Sequence, residues 1–253
     1  MDLFRAWVSD DGKISTVGGT IDTYSSEVQI KDSPFKNSKK CIYLDPSNSY
    51  QYINFLFNFA DLDNEENNCM DGDFTIHFKI KVDKIYGMNY DIPFFVQPKV
   101  STGGDNLKSS NIGPLIYDRE HSGYCTVWSS YYSSSRPHDP YGTLRFLITN
   151  KVVGTDCHSY CFTRKDGTFR VFIDGILVGT STNYKAQAPY CATLLNINAD
   201  NTSDRKTAKY FDDLVLIKGK ALYIDSYSYD ESKYFFNDIG RTKYLGTINL
   251  KFK

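Results

Sequence analysis

Phe74, Ile76, Phe78, Ile80 and Val82 alternate with Thr75, His77, Lys79 and Lys81, the period-two pattern of a β-strand with one apolar and one polar row. Successive side chains leave a strand on opposite sides, so this stretch predicts a strand lying on a broad core with its polar row, His77 included, facing water. Further on, CFTRKDGTFRVFIDGILVGTS carries the pairs Asp166-Gly167 and Asp174-Gly175 between three strand-like runs. Asp-Gly suits a two-residue hairpin turn, because both central positions need positive φ, so the segment predicts a β-meander whose aspartates serve the turns. CATLLNINA (191–199) and FDDLVLIKG (211–219) are apolar on both alternating rows, as expected of strands covered on each face. KKCIYLDP (39–46) and YQYINFLF (50–57) predict a strand pair joined by a turn from Asp45 to Ser49. Weaker strand patterns lie at 92–97, 113–117, 123–130 and 143–149, and no window carries the i, i+3, i+4, i+7 stripe of an amphipathic helix.

Composition supports sheet over helix. The 253 residues include 20 Tyr and 17 Phe, side chains that fit pleated, half-buried surfaces. That length is compatible with one large sandwich. The expected fold is all-β, a two-sheet antiparallel sandwich with little helix. The formal net charge of −1 makes nucleic acid a poor partner, since no strong field gathers phosphates. The beginning MDLFRAWVSDD has no basic and apolar leader pattern, and no apolar run reaches the roughly 18 residues of a membrane span, so neither secretion by that route nor membrane insertion is expected.

Candidate chemistry is sparse. The six cysteines are scattered, which makes disulfides optional in a chain able to build a core. Cys157, His158 and Cys161 offer up to three zinc ligands without a second ligand pair elsewhere. Retaining glycoside hydrolysis needs two carboxylates about 5 Å apart on one strand face. No E-x-D-x-E string occurs, and Asp212 and Asp213, as neighbours on a strand, are expected on opposite faces. No nucleophile motif surrounds the four histidines. An enzyme is not expected.

Two segments read as long loops: the acidic 60–73 and the Tyr- and Ser-rich 124–143. The second has the composition of a binding surface, because Tyr and Trp give rigid amphipathic contact area while Ser adapts its hydrogen bonds. Tyr124, Trp128, Tyr131 and Tyr132 are candidates to stack on sugar rings, with Arg136, His138 and Asp139 bonding hydroxyls. The same density of Tyr also describes a protein–protein contact. At the end of the chain, FNDIGRTKYLGTINLKFK alternates weakly, with Leu245, Thr247, Asn249 and Lys251 in one row. That row is expected to close the same sandwich or to add an edge strand to a neighbouring subunit.

Taken in order, the segments GDFTIHFKIKV, FRVFIDGILVGT and YFDDLVLIKGKALY resemble the concanavalin A-like lectin/glucanase superfamily in its laminin G-like branch. The resemblance covers about residues 39–236 of what reads as a single domain, 1–253. It implies a jelly-roll topology for the sandwich. The ending Lys218-Gly219-Lys220-Ala221-Leu222-Tyr223…Phe235 is similar to members found in bacteriophage tail, fibre and capsid-associated proteins. Lys79 stands where many relatives carry Trp, and the connection from Ile85 to Leu144 is longer than usual. The resemblance implies a non-catalytic virion structural or adhesion protein, assembled in the host cytoplasm, with other virion proteins or a host surface glycan as partner and homo-oligomers allowed. The alternative it leaves open is a stand-alone carbohydrate-binding, lectin-like module. No cofactor is expected except calcium, for which Asp45, Asp212 and Asp213 are candidate donors; in relatives the matching aspartate is mostly structural.

Overall fold

The computed structural model describes residues 2–57, 73–85, 89–90, 94–97, 115–118, 124–127, 144–147, 156–182, 194–199, 207–233 and 235. The described strands are β1 (Asp2–Val8), β2 (Ile14–Val17), β3 (Gly19–Tyr24), β4 (Gln29–Asp32), β5 (Lys40–Leu44), β6 (Gln51–Phe57), β7 (Phe74–Ile85), β8 (Asn89–Tyr90), β9 (Phe94–Gln97), β10 (Leu115–Asp118), β11 (Tyr124–Val127), β12 (Leu144–Leu147), β13 (Cys157–Lys165), β14 (Thr168–Ile173), β15 (Ile176–Ser181), β16 (Leu194–Ala199) and β17 (Thr207–Lys218). In β8 to β12 and in β16 the backbone alone is described. All pairings are antiparallel.

A large sheet runs β15-β14-β13-β7-β17-β1-β2, with β5 on β17 and β4 on β5. Both Asp-Gly turns form as expected: Asp166 and Asp174 each take φ 49°, followed by Gly167 at 78° and Gly175 at 80°. The small sheet runs β3-β6-β16-β9, and a further sheet runs β12-β11-β10-β8. The expected pairing of the strands at 39–46 and 50–57 does not occur. β5 pairs with β4 and β17, whereas β6 pairs with β3 and β16. The turn between them therefore crosses from one sheet to the other; Gln51 steadies it by accepting from Asp45 N–H and donating to the Asp45 carbonyl.

Between the large and small sheets lies the main core. Phe4, Ile76, Phe78, Phe162, Phe169 and Leu216 meet Ile53 and Phe55 there, with Phe4 and Phe55 in ring contact across the gap at 5.5 Å. Phe78 sits in the middle of an aromatic stack, 5.6 Å from Tyr160 and 5.4 Å from Phe211. This is the apolar row that the alternation of β7 predicts, and it makes an antiparallel sandwich.

The other row of β7 does not face water. Thr75 and His77 are 0% exposed and Lys79 is 2%, because the chain after β17 folds back across the outer side of the large sheet. This C-terminal strap, Gly219 to Lys233 with Phe235, lays Leu222, Tyr223, Tyr227 and Phe235 on Cys161, Phe172, Val215 and Ile217. The sandwich thus carries a second, smaller apolar cluster. Tyr223 and Tyr227 stack at 3.6 Å, and Phe235 stacks on His77 at 3.8 Å.

The strap runs so close to the β14–β15 turn that the Tyr227 N–H donates to the Gly175 carbonyl at 2.8 Å. A Cβ on Gly175 would collide with the Tyr227 carbonyl oxygen, and φ +80° there is itself unfavourable for an L side chain. Gly175→Ala is accordingly expected to destabilise the fold by about 1–3 kcal/mol, most of it from the strap. Gly167→Ala, with nothing within 4 Å of its Cβ position, should cost about 1 kcal/mol or less. Urea unfolding of the two variants side by side measures the difference.

Candidate functional site

Polar groups on the strap-facing row of β7 are consumed by the strap's backbone. Thr75 Oγ1 donates to the Lys220 carbonyl and accepts from Leu222 N–H, both at 2.9 Å. On β13, Thr163 Oγ1 donates to the Tyr223 carbonyl at 2.9 Å. Lys79 Nζ donates to the Glu231 and Lys233 carbonyls at 3.1 and 2.9 Å and to Asn37 Oδ1 at 2.8 Å. His77 contacts the Asp213 carbonyl through Nδ1 at 3.1 Å and Ser159 Oγ through Nε2 at 3.0 Å. A carbonyl only accepts, so Nδ1 carries the proton and Ser159 donates to Nε2. Burial, and next the Lys79 charge, hold the imidazole well below its usual pKa.

Asp212 and Asp213 were expected on opposite faces of β17; a β-bulge between Asp212 and Val215, with Asp213 at φ 55°, breaks that alternation. Asp212 stands opposite Lys79 in register, which places it on the strap side. Asp213 Oδ2 lies on that side too, 3.9 Å from His77 Nδ1 and 4.0 Å from Lys79 Nζ. Both carboxylates hold backbone: Asp212 Oδ1 accepts from Val8 N–H at 3.1 Å and Asp213 Oδ2 from Phe235 N–H at 2.7 Å. Burial pushes their pKa values up, to about 6 for Asp212 and about 7 for Asp213, although Lys79 pulls the other way. Both side chains are buried and bonded to backbone. Asp45, the third candidate calcium donor, turns to Ser47 N–H at 3.1 Å and to the Tyr43 hydroxyl at 3.5 Å. The three are not brought into one ligand set, and among the described residues no group of three His, Cys, Asp or Glu side chains is arranged to hold a metal.

The Cys157, His158 and Cys161 cluster is likewise dispersed. Cys161 lies in the apolar cluster under the strap, Cys157 Sγ donates to the Pro34 carbonyl at 3.4 Å, and His158 Nδ1 pairs with Asp174 Oδ2 at 2.7 Å. Asp174 thus does more than make its turn, since its other oxygen accepts from Ser159 N–H at 2.8 Å.

Where the strap crosses the strand ends of the large sheet it leaves a cleft of about 410 Å³, walled by Pro34, Phe35, Lys36, Lys79, Cys157, His158, Asp174, Tyr229 and Glu231. That volume falls within the ~300–1,000 Å³ of small-ligand sites. The loop between β4 and β5 supplies one wall, the ends of β13 and β14 the floor, and the strap the other wall. Lys36 pairs with Glu231 across the mouth, joining loop to strap. Cys157, His158 and Asp174 together suggest a nucleophile with its base, but the geometry is not that of one. Burial raises the Cys157 thiol above its usual pKa, and its proton is directed at a carbonyl. What the cleft offers is aromatic and proline walls with carboxylate acceptors and amine and imidazole groups between them. Sequence reasoning missed it because its residues come from five separate stretches of the chain.

Of the residues proposed for stacking and hydroxyl bonding, Tyr124 begins β11, described in its backbone only, paired there with Leu147 and Ile116. Trp128, Tyr131, Tyr132, Arg136, His138 and Asp139 lie outside the described residues, as does the C-terminal stretch 236–253.

No protein-family model and no curated relative matches the sequence. Solved structures do match, at TM-scores of 0.54–0.57 among the most similar. One is botulinum neurotoxin type C, which enters cells dependent upon interaction with two ganglioside molecules; it shares 14% identity and a TM-score of 0.57 over 88% of this chain and 49% of that one. The likeness is one of fold. The receptor binding domain of botulinum neurotoxin D matches with 12% identity and a TM-score of 0.57 over 87% of this chain and 50% of its own. The binding domain of Paraclostridial Mosquitocidal Protein 1 matches with 15% identity and a TM-score of 0.55 over 88% and 50%. This chain therefore spans about half the length of the structures it matches.

His77 gives the network a pH signature. Its pKa is depressed in the fold below the ordinary 6.5, so the unfolded chain takes up a proton that the folded one refuses. The stabilisation it brings is present above pH 6.5 and is lost as pH falls below it. In His77→Gln, the stability deficit relative to the unsubstituted chain should therefore shrink on acidification from pH 8 to 5, by up to about 1.4 kcal/mol per pH unit below 6.5. Denaturant titrations across that range measure it.

Proposed function

We propose that this chain is a non-catalytic carbohydrate-binding module that recognises a surface glycan. The observation that carries the reading is the strap cleft, whose lining joins Tyr229, Phe35 and Pro34 with Asp174, His158, Glu231 and Lys36. Sugars present apolar ring faces and a rim of hydroxyls, and this mixture meets both. In this reading Cys157, with its thiol directed at the Pro34 carbonyl, and the buried Asp212 and Asp213 serve the structure. The fold is shared with binding domains of toxins, one of which interacts with gangliosides. Because the match spans half of those chains, it lends support to the module's fold and to the general class of binding, and locates no ligand. These neighbours give the virion-component expectation no support.

The Tyr-rich segment, with Tyr124, Trp128, Tyr131, Tyr132, Arg136, His138 and Asp139, supplies a second set of contacts in this reading. A glycan array should retain the purified chain on a definable set of structures. Trp128→Ala and Tyr131→Ala should each weaken that retention by about tenfold, the ~1.4 kcal/mol scale of one aromatic contact. Absence of retention on every glycan at high protein concentration would sink the reading.

A further inference from the structure

The charges around the strap cleft are already matched, and this bears on which sugar it takes. Lys79 is committed to Asn37 Oδ1 and to two strap carbonyls, Lys36 to Glu231, and Asp174 to His158 and Ser159 N–H. Lining charges thus balance, two lysines against two carboxylates. A sialic acid or sulfated sugar would bring its own negative charge beside Asp174 and Glu231, and the exposed lysine there, Lys36, is already paired with Glu231, so the anion meets repulsion and a desolvation cost. A neutral pyranose asks for something different. Its hydroxyl protons need acceptors, and carboxylate oxygens that each already hold one donor keep a lone pair for another. Asp174 and Glu231 have exposed side chains, at 37% and 54%, so those lone pairs are within reach from solvent. Charge-assisted bonds of this kind are the stronger sort, while Tyr229 and Phe35 offer apolar contact.

The geometry points to a neutral terminal sugar, uncharged and unsubstituted by carboxylate or sulfate, as the ligand of the strap cleft. This rests on the carbohydrate-binding reading and narrows it to one site and one class. It also makes the strap part of the site, since Tyr229 and Glu231 are strap residues.

The test compares neutral galactose-, glucose- and N-acetylhexosamine-terminated oligosaccharides with their sialylated and sulfated counterparts on one array. Three variants of the full chain are read in parallel: Asp174→Asn, Glu231→Gln and Trp128→Ala. Asn tolerates the positive φ at position 174, so that turn should survive, and thermal melting checks folding for each. The result expected is retention of neutral glycans, weakened about tenfold or more by Asp174→Asn and by Glu231→Gln. If neutral glycans bind and only Trp128→Ala weakens them, the cleft assignment is overturned while the carbohydrate-binding reading stands. Preference for the sialylated or sulfated partners likewise overturns the inference alone. No binding to either set removes both.

Discussion

A lysine ammonium on the outer side of a β-sheet holds this structure's second layer in place. Taking such a charge out of water costs several kcal/mol, and the loss is offset only by well-placed oxygen partners. Lys79 finds them in Asn37 Oδ1 and in the carbonyls of Glu231 and Lys233, with the Asp213 carboxylate 4.0 Å away. Those carbonyls belong to the strap, so the ammonium has two of its three hydrogen-bond acceptors only when the strap is docked. Asp213 reciprocates by accepting from Phe235 N–H, and His77 lies flat against the Phe235 ring. Charge, hydrogen bond and ring contact converge on the last described stretch of chain.

The cleft follows from that arrangement. Without the strap there is no Tyr229 or Glu231 wall, and only the strand ends of β13 and β14 and the β4–β5 loop remain. The Lys36–Glu231 ion pair and the hydrogen bond between Asp174 and His158 then make the opening polar. An exposed ion pair contributes little stability by itself. Its importance here is to fix where two side chains stand and to leave no excess charge of either sign.

Much of the sandwich was legible because its elements are local. The apolar row of β7, the two Asp-Gly turns and the doubly covered β17 each follow from a few consecutive residues, and each forms as the pattern demands. The polar row of β7 was misread, although a contrary signal was present. Val215 and Ile217 stand opposite His77 and Thr75, and Cys161 stands opposite His77. Apolar residues on the same face of neighbouring strands do not suit a wet surface, so Thr75, His77 and Lys79 had to be polar groups with internal partners. Alternation along one strand cannot report this, because the partners lie up to 154 residues away. The Asp212–Asp213 bulge defeated period-two reasoning for a related reason, since one extra residue moves a side chain to the other face. The strap cleft, gathered from residues 34–36, 79, 157–158, 174 and 229–231, exists only once the strap is docked, and the Tyr-rich segment's part in binding rests on its composition.

Native-state hydrogen exchange tests the central claim most directly. Leu222, Tyr227 and Phe235 amides donate to Thr75 Oγ1, the Gly175 carbonyl and Asp213 Oδ2, so they should exchange slowly and as one group. Replacing Lys79 with Met removes the ammonium and leaves Asp213 and two strap carbonyls without it. All three amides should then exchange faster by about a hundredfold, the scale of about 3 kcal/mol for a broken buried charge network, while the amides of β13 and β14 stay slow. Strap amides that exchange freely in the unsubstituted chain, or that ignore the loss of Lys79, would contradict the account.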